Sequence, residues 1–191
     1  MKDYGFTPRK SAQVSTEMKQ LFTTSLQFGW NKLAVRFMMI ASLFTAGVGF
    51  YTFYAAQPYL LELYGDKGAY GIAGITAAIV AGSQIVGGLS VSYIKSLFQK
   101  RTTILITGTI LSILFLMLLG LTTQFWIAVV AIIIWGLISA AIQPVRQTYL
   151  NGLIPSKQRA TVLSFDNMLG SGGGAVVQPL LGKAADLYSY S

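Results

Sequence analysis

Long apolar stretches alternate along the chain with short polar or basic breaks. Five stretches stand out, at about 37–58, 70–94, 102–121, 125–147 and 161–182. A helix rises ~1.5 Å per residue, so about 20 residues cross a hydrocarbon layer ~30 Å thick. All five stretches reach that length. The pattern predicts an all-α membrane protein with five transmembrane helices. Residues 13–30 differ: Val14, Met18, Leu21 and Phe22 recur at helical spacing, but the stretch is too polar to span a bilayer. It predicts an amphipathic helix, lying in the membrane interface or packed on the ends of the spans. The chain thus divides into an N-terminal segment, 1–35, and a transmembrane domain, 36–191.

The spans differ in character. The first begins after Lys32 and Arg36, and its outer half reads G-F-Y-T-F-Y-A-A-Q-P. There Phe50, Tyr54 and Gln57 share a face, and Pro58, lacking a backbone donor, is expected to kink the helix. Glu62, Asp66 and Lys67 are expected in the loop that follows. The second span is rich in Gly, Ala and Ser, which let helix backbones approach closely in lipid, and carries Gln84 at mid-span. The third is a run of Ile, Leu and Met with hydroxyls as its only polar groups, which suits a lipid-facing helix with Leu114 and Met117 against the acyl chains. In the fourth, Trp135, Ser139, Gln143 and Arg146 share a face, and Pro144 is placed to kink the inner end. The fifth holds Asp166, Asn167, G-S-G-G-G at 170–174, Gln178 and Pro179, and the chain ends in Tyr-Ser-Tyr-Ser.

Composition agrees with this pattern. Hydrophobic residues make up 53% of the 191 and charged residues 10%, whereas soluble domains carry about 25% charged residues. The net charge of +8 would suggest nucleic acid in a soluble protein, but here it follows the loops. Twelve of the 14 basic residues fall on one side of the predicted spans, and Lys67 and Lys183 on the other. By the positive-inside rule the N-terminal segment is cytoplasmic and the C-terminus external. No partnership with nucleic acid is expected; the bilayer itself is the first partner. There is no Cys and no His, which removes disulfides, thiolate metal sites and the commonest general base. No cofactor or metal is expected. A membrane-embedded enzyme needs clustered acids or a nucleophile beside a base, and one intramembrane acid does not supply them.

The candidate functional residues form two groups. Phe50, Tyr54, Gln57, Gln84, Trp135 and Gln143 are candidates for a substrate cavity, since polar groups within a span need partners and a wet cavity is one source. Core packing is the other reading of the Phe50 face. Arg146, Asp166 and Arg159 are candidates for a gate or ion pair. An acid inside a span is a functional candidate by default. Asp166 fits pairing with a nearby inner Arg or Lys, and a direct role with protons or substrate is the alternative. Arg146 fits an interfacial or gate partner, with substrate contact as the alternative. The glycines at 170–174 lack the Lys-Ser/Thr of a phosphate loop and suit close helix contact or bending.

One string is distinctive: Arg146, then Tyr149-Leu150-Asn151, Ile154-Pro155 and Arg159-Ala160-Thr161-Val162-Leu163-Ser164, with Pro179-Leu180-Leu181-Gly182-Lys183-Ala184-Ala185-Asp186 further on. It resembles the hinge between the tenth and eleventh helices of major facilitator superfamily transporters, followed by the usual ending of helix eleven. The resemblance covers about residues 30–190 and places the spans as family helices seven to eleven, most of a C-terminal half built from inverted three-helix repeats. The amphipathic segment corresponds to one the family often carries between its halves. The resemblance implies secondary active transport of a small molecule by alternating access, with proton-coupled efflux of amphipathic organic compounds as the subclass, in the plasma membrane. It also implies a partner, the missing N-terminal half; a non-transporting or regulatory half is the alternative. Two departures stand out. Family helices one to six and twelve have no counterpart, and Ser92 stands where the family's loop after helix eight often has an acid, which puts an ion pair based on that acid in doubt.

Overall fold

The computed structural model describes residues 14–66, 68–98 and 100–188. The expectations for residues 1–13, Lys67, the last three residues and the side chains of Val14, Met18 and Leu21 lie outside the described residues. Seven helices follow one another among the described residues: α1 (Val14–Asn31), α2 (Leu33–Tyr64), α3 (Tyr70–Leu89), α4 (Val91–Leu97), α5 (Arg101–Leu121), α6 (Phe125–Leu153) and α7 (Ser156–Tyr188).

Four of them, α2, α3, α5 and α6, are long and apolar enough to cross a membrane. The helix α7, expected as the fifth span, is 33 residues long but is not among these four, because glycines and polar groups dilute its apolar character. The helices run past the expected spans. Pro58 does not end α2, which continues through Glu62 to Tyr64; a proline in a membrane helix is tolerated when neighbours satisfy the freed backbone groups. Gly65, in the left-handed region at φ 83°, then closes the helix by donating its N–H to the Glu62 carbonyl, a geometry in which glycine carries no Cβ penalty. The expected second span is two helices, α3 and the short α4, which meet at Ser90.

The centre of the bundle is α6. In its most apolar stretch 39% of residues are buried, against 17–22% in the other three apolar helices. α3 and α5 pack against α6, and α7 packs along α2. One core cluster joins Ala56 and Leu60 of α2, Val80 of α3 and Leu119 of α5 to Ala128, Ala131 and Ile132 of α6. A second, near the basic end, joins Val35 and Met39 of α2 to Leu150 and Ile154 beside the α6–α7 turn and Val162 of α7. Phe28 and Gly29 of α1 pack on that second cluster, so α1 is seated on the ends of α2 and α7.

In lipid, apolar surface alone gives helices little reason to associate, and close backbone approach takes over. The contacts here follow that rule. A Cβ on Gly173 of α7 would collide with the Leu43 carbonyl of α2, one on Gly87 of α3 with the Leu137 carbonyl of α6, and one on Gly108 of α5 with Ile142. On α5, Leu114 and Met117 are exposed, with Ile106, Ile110 and Ile113. At the end of the bundle opposite the basic one, the Tyr59 hydroxyl lies 2.6 Å from the Thr122 carbonyl and 2.9 Å from that of Leu119. Its single proton serves either acceptor and ties α2 to the α5–α6 turn.

Candidate functional site: a buried ion pair at the junction of three helices

Asp166 lies eleven residues into α7, so at ~1.5 Å per residue it is about 15 Å along the helix from Ser156. It is 3% exposed. Arg146, on α6 just after the Pro144 position, reaches it with both terminal nitrogens. One donates to Oδ2 at 2.8 Å and the other to Oδ1 at 2.7 Å. This paired fork is the strong form of the interaction, because a planar guanidinium matches a carboxylate. The nitrogen facing Oδ1 also donates to the Met38 carbonyl of α2 at 3.0 Å. The Ser42 hydroxyl lies 3.0 Å from Asp166 Oδ1 and 2.8 Å from the Met39 carbonyl. Three helices therefore meet on one carboxylate–guanidinium pair, the only ion pair among the described residues.

The local sequence explains the convergence. Val35, Met39 and Ser42 are spaced i, i+4, i+7 along α2 and form its buried stripe at this level, so the serine is delivered to α7 by the same periodicity that buries its apolar neighbours. Gly170 of α7 faces α2 at the same level, where a Cβ would make ordinary contact with Ala46 at 3.5 Å and the Ser42 carbonyl at 3.8 Å. An ion pair in hydrocarbon is favourable only when its geometry is good and its remaining hydrogen-bonding capacity is met. The Met38 carbonyl and Ser42 hydroxyl supply that completion.

Of the expected gate residues, Arg146 and Asp166 are brought together and Arg159 is not. A terminal nitrogen of Arg159 faces the Ile154 carbonyl at 3.4 Å, across the α6–α7 turn, and its Nε is buried without a partner among the described residues. Lys32 instead closes that turn, donating to the Leu153 carbonyl at 2.7 Å, a cation at the negative end of α6. Sequence reasoning missed Ser42 and the Met38 carbonyl. The signal for the serine was available, a hydroxyl on the buried stripe of a span, but a backbone acceptor leaves no mark in a sequence.

The expected cavity residues are spread over three helices. Phe50 is 50% and Tyr54 66% exposed on α2, with Phe53, which sequence reasoning missed, edge-on to Tyr54 at 5.4 Å between ring centres. Gln57 is half-buried, and Gln84 and Gln143 are exposed. Trp135 is buried in the body of α6, 7% exposed. Phe50 also reaches α7, since a Cβ on Gly174 would sit 3.3 Å from its ring. Among the described residues no cluster of three or more His, Cys, Asp or Glu is placed to hold a metal ion.

Apolar helices packed through glycines and pinned by one fully bonded internal ion pair define a multi-pass integral membrane protein. The family model of the Major Facilitator Superfamily matches residues 5–186. The chain belongs to that superfamily, whose members are membrane transporters. No curated protein and no solved structure gave a match.

Proposed function

We propose that the chain forms one half of a secondary transporter that exports amphipathic organic compounds in exchange for protons, and that the Arg146–Asp166–Ser42 junction holds together the basic, cytoplasmic end of that half as it rocks. The open aromatic and amide face of α2 carries this reading. Phe50, Phe53 and Tyr54 are exposed beside Gln57, a surface with apolar area, hydroxyl and amide but no fixed charge. Such a surface suits an amphipathic ligand, since ligand sites combine apolar walls with a few polar groups. In transporters built from repeats the substrate site lies near the midplane between repeats or halves, and a second half completes it.

The test has two arms. Residues 1–191 reconstituted alone in liposomes under a proton gradient are expected to give no saturable movement of a lipophilic fluorescent cation. Gradient-driven, saturable movement by the chain alone would refute its reading as a half. Joined to a six-helix N-terminal half, Gln57→Ala is expected to change substrate preference more than Leu114→Ala. Equal and negligible effects of the two would remove the α2 face from the substrate path.

A further inference from the structure

We propose that the cavity between the basic ends of α5 and α6 binds the phosphate headgroup of an anionic phospholipid. Lys100, Arg101, Thr102, Tyr149, Gly152 and Leu153 line this shallow, open-sided cavity of about 380 Å³. Among the described residues neither of its two cations is in an ion pair. The single ion pair among the described residues joins Arg146 to Asp166, while Glu62 and Asp66 sit at the opposite end of the bundle, in and just beyond the last turn of α2. The guanidinium of Arg101 lies over the bare backbone of Gly152, with a terminal nitrogen 3.9 Å from where a Cβ would be. The missing side chain at Gly152 keeps the cavity open, and Tyr149, which also lines it, has a phenolic donor of the kind that suits phosphate oxygen.

The depth of the cavity favours a lipid over a free anion. α5 has 21 residues and so measures about 30 Å, the thickness of the hydrocarbon layer. Its first residue, Arg101, therefore stands at headgroup level. Starting from Thr102, the exposed side chains Ile106, Ile110, Ile113 and Met117 follow at i+4, i+8, i+11 and i+15 along one face of α5. A lipid with its phosphate at Lys100 and Arg101 can lay an acyl chain along that stripe. Basic pockets between membrane helices hold anionic headgroups by this combination of charge and depth.

The experiment is native mass spectrometry of the full chain released from detergent, titrated with phosphatidylglycerol, phosphatidylcholine or inorganic phosphate. Phosphatidylglycerol is expected to bind in preference to phosphatidylcholine. The double variant Lys100→Gln/Arg101→Gln is expected to weaken phosphatidylglycerol binding roughly twenty-fivefold, taking about 1 kcal/mol, or about fivefold, for each cation lost from direct contact with the headgroup. Lys157→Gln, which removes a cation at the same end but outside the cavity, is expected to leave it unchanged. Gly152→Leu keeps every charge but fills the cavity, and is expected to weaken the lipid as well. Circular dichroism checks that each variant keeps its helices; if the double variant does not fold, Gly152→Leu carries the test. Three results would overturn the proposal: binding undiminished in Gly152→Leu, equal losses in Lys157→Gln and the double variant, or inorganic phosphate that binds alone and displaces the lipid.

Discussion

Replacing Arg146 by Met should be among the most damaging single changes in the chain, and replacing both partners should be far milder. In Arg146→Met, Asp166 stays 3% exposed and loses two charged hydrogen bonds, of 2.7 and 2.8 Å. The Ser42 hydroxyl is then the only donor within reach. Breaking a buried pair from one side costs about 3–5 kcal/mol, because the remaining charge is left uncompensated. Asp166→Asn should cost less, about 2 kcal/mol, since Arg146 keeps the Met38 carbonyl and can donate to the amide oxygen. The double variant Arg146→Met/Asp166→Leu replaces charges by apolar groups, an exchange that is often neutral, and should lie within about 1 kcal/mol of the parent. Asp166→Leu alone strands the Arg146 charge and should also cost about 3–5 kcal/mol, so the coupling in the Arg146→Met and Asp166→Leu cycle is at least about 5 kcal/mol, well above the 0.5 kcal/mol scatter of independent sites. Reversible unfolding of the full chain in mixed micelles, titrated with SDS and followed by circular dichroism, measures the parent and each variant. If the single losses simply add in the double variant, or if Arg146→Met is no worse than Asp166→Asn, the pair does not act as described.

Two further expectations follow from the packing and from the charge distribution. Gly173→Ala should destabilise the bundle by about 1–3 kcal/mol, the usual cost of overpacking, because its methyl meets the Leu43 carbonyl. Gly172→Ala, where a Cβ has open space, should be tolerated in the same SDS titration. In this Cys-free chain, Ser156→Cys should label with impermeant maleimide only from the cytoplasmic side and Asp66→Cys only from outside; Asp66 is preferred to Gly65, whose φ of 83° would strain a cysteine. Labelling of Ser156→Cys from outside would reverse the topology.

The division into apolar helices was legible because lipid imposes a length and a composition on any helix that crosses it. The exposure of Leu114 and Met117 was legible for the same reason: a helix apolar on every face has nothing to hide. Asp166 was legible as an acid in need of a cation, and Arg146 as one nearby candidate. The choice of Arg146 over Arg159 was not, because it depends on the angle at which α6 and α7 leave their turn. Ser42 and the Met38 carbonyl were illegible as a pair, since periodicity tells which face of α2 is buried but not which neighbour buries it. Pro58 was read as the outer end of the first span, while the helix runs on to Tyr64.

The junction on Asp166 also sets a timetable for the nascent chain. Ser42 and Asp166 are 124 residues apart in sequence, so translation at about 5–20 residues per second separates their synthesis by roughly 6–25 s. Over that interval α2 has entered the membrane without the helix it packs along, leaving uncovered the Leu43 backbone and Gly47, where a Cβ would collide with Val177 of α7. Arg146 is synthesised 20 residues before its acid and well after Met38, whose carbonyl also accepts from it. Assembly of this bundle is therefore a late event, closed from the C-terminal side, and a ribosome that stalls short of α7 leaves in the membrane a set of helices whose largest interface has only one of its two surfaces.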